Sequence, residues 1–369
     1  MVPLARAILD RGDEVMFATG DEVCARLERE GIQTSVAGLD DGEAMSKFYE
    51  QFPEVQTLPP PDRSDFTFPR LFGAVRAPVM LADLIPVAQA WSPELVICDA
   101  AEFAGPIAAA MVGAPNFTLA FGALLPEPRV AAAGAEVASL WTANGLEPRP
   151  YGGVYDHLYL DIYPPSLQSG ERPNVAVTQP LRPGAFATGE EEFLPAWVTE
   201  PSEDPLVYVT LGTVFSNDEV LSAVVTAVRE FSVRVVVTVG PHGDPGSLGP
   251  QPGNVHVARY VPQTQLLERC SAVVSHGGSG TMLAALAAGL PQLCVPQAAD
   301  QFFNAAACAR VGAGISLSPG TVTVVEVRDD VQRLLSDPAF RTAAHRISAE
   351  IAEMPSPDDV ADLLHARYA

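Results

Sequence analysis

His276-Gly277-Gly278-Ser279-Gly280-Thr281, followed by Gly289-Leu290-Pro291 and then Pro296-Gln297-Ala298-Ala299-Asp300-Gln301, is the stretch that decides the fold. The first run puts glycines at a turn that opens a helix, where free backbone N–H groups can hold phosphate. The second sets a polar Asp-Gln pair just after the next apolar strand, where open parallel sheets collect their ligands. Two such turns about twenty residues apart fit one ligand with a phosphate end and a polyhydroxy end. A nucleotide sugar meets that description.

Around this stretch the apolar pattern predicts strands at 206–210, 233–239, 254–258, 272–275, 292–295 and 314–317, and helices at 220–230, 263–267, 279–288 and 302–311. From 324 on the tail reads as helix, punctuated by Pro338, Pro355 and Pro357. The first half repeats the alternation more loosely. A helix at 2–9 stopped by Gly12, a strand at 14–19, a helix at 21–30 with Gly31 after it and a strand at 32–37 imply a parallel sheet. A strand at 93–99, a helix at 102–112 and a strand at 116–119 continue it. In a doubly wound sheet the first strand is the central one, so a half that opens on a helix reads as beginning inside its first repeat. A sheet built differently is the alternative.

Three segments read differently. Residues 39–78, with Pro59-Pro60-Pro61, predict long loops and short helices. Residues 121–170 are loop-rich, with Tyr151, Tyr155, Tyr159 and Tyr163 at the spacing of a helical stripe, a pattern that more often packs than binds. Prolines and the acidic run Glu190-Glu191-Glu192 mark a linker between 164 and 205.

Composition narrows the function class. The 369 residues, 48% of them hydrophobic, are enough for two cores. A formal charge of −23 argues against nucleic acid and against an anionic membrane surface, so a phosphorylated ligand must be held by local groups. The 21 arginines against a single lysine, Lys47, reflect high-GC coding sequence. Cys24, Cys98, Cys270, Cys294 and Cys308 lack metal-site spacing and read as buried thiols. No apolar run approaches bilayer length and no leader pattern opens the sequence, so a soluble cytoplasmic protein is expected.

Tyr260-Val261-Pro262-Gln263, Leu266-Leu267, the 276–281 turn, Gly289-Leu290-Pro291-Gln292 and Asp300-Gln301 together resemble the donor-binding signature of family 1 glycosyltransferases. The nearest type is the bacterial enzymes that attach deoxysugars to natural products. The match is specific over about 254–317, moderate over the first 37 residues and around 93–119 and 206–213, and weak elsewhere. It implies an α/β GT-B fold, two Rossmann-like domains facing a cleft. The expected boundaries are 1–180 for the acceptor domain, 181–205 for the linker, 206–352 for the donor domain and 353–369 for a helix crossing back to the first domain.

The resemblance also assigns roles. Gly277, Gly278, Ser279, Gly280 and Thr281 would hold the diphosphate, with the hydroxyls of Ser279 and Thr281 as added donors. His276 would contact the leaving diphosphate, its rival role being a buried structural histidine. Gly212 and Thr213 would reach the phosphates from the opposite wall. Val261, through its backbone, and Gln263 would grip base and pentose, with Tyr260 against the base. Asp300 and Gln301 would bind the sugar hydroxyls, a role compatible with Asp300 as a helix N-cap.

Relatives that use uridine donors often carry a ribose-binding glutamate at the position of Ala284, so the resemblance favours a dTDP-sugar over a UDP-sugar. It implies an inverting displacement without metal and without a cofactor beyond this co-substrate. The base would be a histidine after the first strand. None of His157, His242, His256, His276, His345 and His365 matches it, whereas Asp99 matches the carboxylate that orients it or, alternatively, caps the next helix. Phe66, Phe72 and Phe121 are acceptor candidates for a small apolar aglycone. No nucleic acid or membrane partner is expected, and the chain would be a monomer or homodimer. The competing reading is a non-catalytic relative that binds nucleotide or assists a partner enzyme.

Overall fold

The computed structural model describes residues 1–168, 175, 177–184, 194–212, 218–240, 243–318, 320 and 322–368. The chain divides into two compact units. The first is Met1–Ile162 with Gly170–Leu181 and Pro355–Ala369; the second is Tyr163–Ser169 with Arg182–Met354.

The first unit holds two separate parallel ladders. β1 (Met16–Thr19) pairs with β2 (Gln33–Val36). β3 (Val96–Asp99), β4 (Asn116–Leu119), β5 (Leu158–Asp161) and β6 (Val177–Pro180) form the other, in that order. Among the described residues no strand joins β1 to β3. The helices Val2–Leu9 and Pro357–Tyr368 pack in this unit, their Leu4, Ala7, Val360, Ala361 and Leu364 sharing a core with Phe117, Leu119, Leu158 and Leu160. Arg11 fastens them, its Nε donating to Asp362 at 2.6 Å.

Several expectations for this unit are corrected. Residues 39–78 are mostly helical: Asp41–Gln51 and Pro60–Phe68 are α-helices, and Pro69–Arg76 is a π-helical segment that leads into Ala77–Trp91. The prolines misled because Pro at a first helical position initiates rather than breaks. Pro69, whose ring would strain an α-turn, stands where the winding loosens to π. As a result Asp62–Trp91 is one helix long and apolar enough, by length and composition, to cross a membrane, with a mean hydropathy of 1.6 over its most apolar 18 residues. Its Leu71, Val75, Leu81 and Ala88 are nevertheless buried in the unit's cores. The tyrosine stripe is not helical either. Tyr151 and Gly152 are left-handed at φ 54° and 63°, and Tyr159 lies in β5. Tyr151, Tyr155 and Tyr159 still pack in sequence, with ring centroids 5.4 and 5.7 Å apart.

The second unit follows the predicted pattern closely. β7 (Leu206–Thr210), β8 (Arg234–Thr238), β9 (Val255–Ala258), β10 (Ala272–Ser275), β11 (Gln292–Cys294) and β12 (Gly314–Ser316) make one parallel sheet in the order β12-β11-β10-β7-β8-β9. β-Branched runs such as Val235-Val236-Val237 suit it because both faces are covered, and all three are fully buried. This is the doubly wound order, and it reverses direction between β7 and β10. Connections leave those two strands in opposite directions, which opens a crevice at their carboxyl ends. Gly212 and His276 stand just past those ends.

Candidate active site

The helix Ser279–Ala287 forms because Met, Leu and Ala dominate it, and Gly289, left-handed at φ 70°, lies just past its end. Its apolar face buries Met282, Leu283, Ala285 and Leu286, which fixes where its first turn points. Gly278 is the N-cap and offers no side-chain cap, so the first-turn N–H groups of Ser279, Gly280 and Thr281 have no intrahelical acceptor. The preceding turn is tied down by Gly277, which is left-handed at φ 77° and donates its N–H to Ser275 Oγ at 3.1 Å.

Glycine is required around the imidazole. A Cβ on Gly212 would lie 2.8 Å from His276 Cε1, and one on Gly278 would lie 2.3 Å from His276 Nε2. The ring is therefore sandwiched by two backbones at the switch point of the sheet. Burial pushes its pKa below the ordinary value, opposed by the nearby Asp300 carboxylate and by the Thr210 carbonyl. Nδ1 is buried without an aligned hydrogen-bond partner. Burial thus favours the neutral imidazole of His276.

Asp300 sits at the end of a strained turn. Ala299 is left-handed at φ 54°, a conformation that costs a residue with a Cβ about 1–2 kcal/mol. Gln301 stabilises that turn: its Oε1 accepts from the N–H groups of Gln297 at 2.7 Å and Ala298 at 3.0 Å. Gln301 is only 4% exposed, and its oxygen is committed to this turn. Asp300 is not a side-chain cap for the helix Gln301–Arg310. Its Oδ2 accepts from Ser279 Oγ at 2.7 Å and from Asn304 Nδ2 at 2.9 Å. The Ser279 hydroxyl therefore serves Asp300, so the donor that Ser279 has to spare is its backbone N–H.

The nucleotide candidates lie along one edge of the same unit. The Val261 side chain is buried in a core with Leu206, Tyr208, Leu266 and Leu267, which leaves its backbone to meet a ligand. Tyr260 is 54% exposed. Gln263 Nε2 donates to Thr281 Oγ1 at 3.4 Å, linking the two motifs. Ala284 is half-buried, one turn into the helix. Thr213 lies outside the described residues.

In the first unit, Asp99 closes β3 and its Oδ1 accepts from Ala101 N at 2.8 Å, a local turn; the next helix, Gly105–Val112, starts too late to be capped by it. Burial raises the Asp99 pKa. Glu102, which the sequence reading passed over, is pushed up to about 7, by burial first and then by the Asp99 charge, while the Ala104 N–H and Arg76 oppose the shift. A folded-state pKa raised above 4.5 means that the folded chain binds more protons between pH 4.5 and 7, so stability falls as pH rises through that window. Glu102→Gln, which keeps an acceptor for Ala104 N–H, removes this decline. Its melting midpoint relative to wild type is expected to be unchanged below about pH 4 and at least about 2–4 °C higher at pH 8, as read by calorimetric scans.

The acceptor candidates pack against their neighbours. Arg70 lies 3.8 Å over the Phe66 ring, Phe72 stands 4.9 Å from Phe68, and Phe121 is half-buried against the same core. Sequence reading also missed Asn304 and Tyr163. Asn304 had a signal, since it lies one helical turn from Asp300 on the same face. Tyr163, bonded to it across 141 residues of sequence, had none.

Comparison with known proteins identifies the family. The family described as erythromycin biosynthesis protein CIII-like matches through its N-terminal domain over residues 67–144 and its C-terminal domain over residues 222–366. Elloramycin glycosyltransferase ElmGT of Streptomyces olivaceus is 32% identical over 392 residues, covering 100% of this chain and 93% of that one. The crystal structure of the glycosyltransferase SnogD from Streptomyces nogalater superposes with a TM-score of 0.76 at 28% identity, covering 100% of this chain and 95% of that one. That of the glycosyltransferase VinC in complex with dTDP does so at 0.79 and 27%, covering 99% and 95%. The chain is a GT-B glycosyltransferase that belongs to the erythromycin biosynthesis protein CIII-like family, among the deoxysugar transferases of antibiotic biosynthesis.

Proposed function

We propose that this chain transfers a deoxysugar from a dTDP-sugar to a hydroxyl of a small natural-product aglycone, with inversion at the anomeric carbon. The observation that carries the reading is the uncapped first turn of Ser279–Ala287 beside His276, placed at the switch point of a doubly wound sheet. The acceptor oxygen attacks the anomeric carbon as the bond to the diphosphate oxygen breaks, through an oxocarbenium-like transition state. dTDP departs with the bonding electrons, and the acceptor proton passes to a base. By resemblance that base is a histidine oriented by Asp99, so the carboxylate is what this chain's described residues contribute. Developing charge on the departing diphosphate is met by the N–H groups of Ser279, Gly280 and Thr281 and by His276, without a metal. Asp300 accepts from a sugar hydroxyl, and the amide of Gln301 donates to one.

Two features support thymidine over uridine. VinC, similar over 99% of this chain, was crystallised with dTDP. By resemblance, Ala284 matches the position where relatives using uridine donors carry a ribose-binding carboxylate, and its methyl suits a deoxyribose. Calorimetric titration is expected to show dTDP binding about tenfold tighter than UDP, the worth of about one hydrogen-bonded group. Tighter UDP binding would reverse the donor assignment, and binding of neither would remove the proposal.

A further inference from the structure

Building on the donor reading, we propose that Tyr163 and Asn304 are positioning residues that aim the Asp300 carboxylate at the donor sugar. Asn304 is fully buried and Tyr163 is 1% exposed, so their polar atoms must find partners inside the protein. The protons run in one direction. The Tyr163 phenol donates to Asn304 Oδ1 at 3.1 Å. With its oxygen engaged there, Asn304 turns its Nδ2 the other way, donating to Ser279 Oγ and to Asp300 Oδ2, each at 2.9 Å. The Ser279 hydroxyl, accepting one of these bonds, passes its own proton to Asp300 Oδ2 at 2.7 Å. Oδ2 takes two donors and is locked, and Oδ1 is the oxygen that meets a sugar hydroxyl.

The phenol sets the sense of the chain. Without it Asn304 Oδ1 is left buried and unpaired, and the amide loses the contact that holds its tilt toward Asp300. Tyr163 is itself held on this unit. Arg310 Nη2 donates to the carbonyls of Ser166 at 3.2 Å and Leu167 at 2.9 Å, and Ser166 N–H donates to Glu350 Oε1 at 2.9 Å. Leu167 is buried beside them. The short segment 163–168 is thus a strap whose tyrosine reaches Asp300 through two hydrogen bonds.

Tyr163→Phe keeps the ring and deletes only the proton. Titration calorimetry with two probes, dTDP and dTDP-glucose, separates orientation from folding, because Asp300 meets only the sugar. Tyr163→Phe is expected to weaken dTDP-glucose about tenfold and to leave dTDP within twofold of wild type. In an Asp300→Ala background the same substitution is expected to have no further effect on dTDP-glucose, since a residue acting through Asp300 loses its lever when Asp300 is gone. Equal loss for both probes, no loss for either, or a full effect that persists without Asp300 would overturn the assignment. Asn304→Leu, which keeps the volume and removes both N–H donors without adding charge, is expected to show the same selective loss, and it carries the test if Tyr163→Phe does not fold. Wild-type protein that binds neither probe would instead remove the donor reading on which the assignment rests.

Discussion

His276→Ala is expected to lower kcat about 10²–10³-fold while the fold survives, the cost of removing one donor from a site of developing oxyanion charge. The effect should fall on kcat more than on donor KM, because the charge on the diphosphate oxygen grows only as the sugar leaves. The pH dependence separates this role from simple packing. In the free protein, burial holds the His276 pKa below 6.5. A bound diphosphate raises it again, since a nearby anion favours imidazolium. Binding therefore takes up a proton at pH values between the two pKas, and donor affinity weakens as pH rises through that interval and then levels. Titration of dTDP-glucose, whose diphosphate stays ionised throughout, is expected to show this slope in wild type and none in His276→Gln. A flat wild-type profile, with kcat unchanged in His276→Ala, would leave the imidazole as packing only.

Gly212→Ala is expected to be nearly as damaging to turnover. At φ 84° a side chain is strained by about 1 kcal/mol, and its Cβ would sit 2.8–2.9 Å from the His276 Cε1 and Nε2 atoms. The ring must move, and the ring is the group proposed to meet the diphosphate. Turnover should fall at least about 10²-fold, close to the loss in His276→Ala, because both changes take the same donor away. Gly113→Ala is the control. It is left-handed at φ 76° but has open space around the added carbon, so it carries the conformational cost without touching a ring. Its melting midpoint should drop by a few degrees, about 2–4 °C per kcal/mol, with turnover intact. If Gly212→Ala behaved like Gly113→Ala, contact between backbone and imidazole would have no catalytic consequence.

The legibility of this protein differed between its two units. In the second, strand positions at 206–210, 272–275 and 292–295 followed from short apolar runs, buried on both faces and lying close to glycine or proline. A parallel sheet writes itself locally, because each strand must be apolar along its whole length. The first unit concealed its elements. β5, Leu158-Tyr159-Leu160-Asp161, ends in a carboxylate and was hidden among tyrosines, and β6 was hidden in a proline-rich stretch. The Pro60–Phe68 helix and the π segment after it were masked by prolines that hold first-turn positions.

The site divides along the same line. Residue order alone determined that a glycine turn opens the helix Ser279–Ala287, that a histidine precedes it, and that an Asp-Gln pair follows the next strand, because these features lie within a few residues of one another and backbone geometry links them. Tertiary structure alone decided what each side chain does there. It turned the Ser279 hydroxyl to Asp300, spent the Gln301 oxygen on its own turn, lowered the His276 pKa by burial, and brought Tyr163 to Asn304 across 141 residues. Hydrogen-bond direction and desolvation depend on which groups meet in space, and a linear sequence carries neither until the sheet has folded.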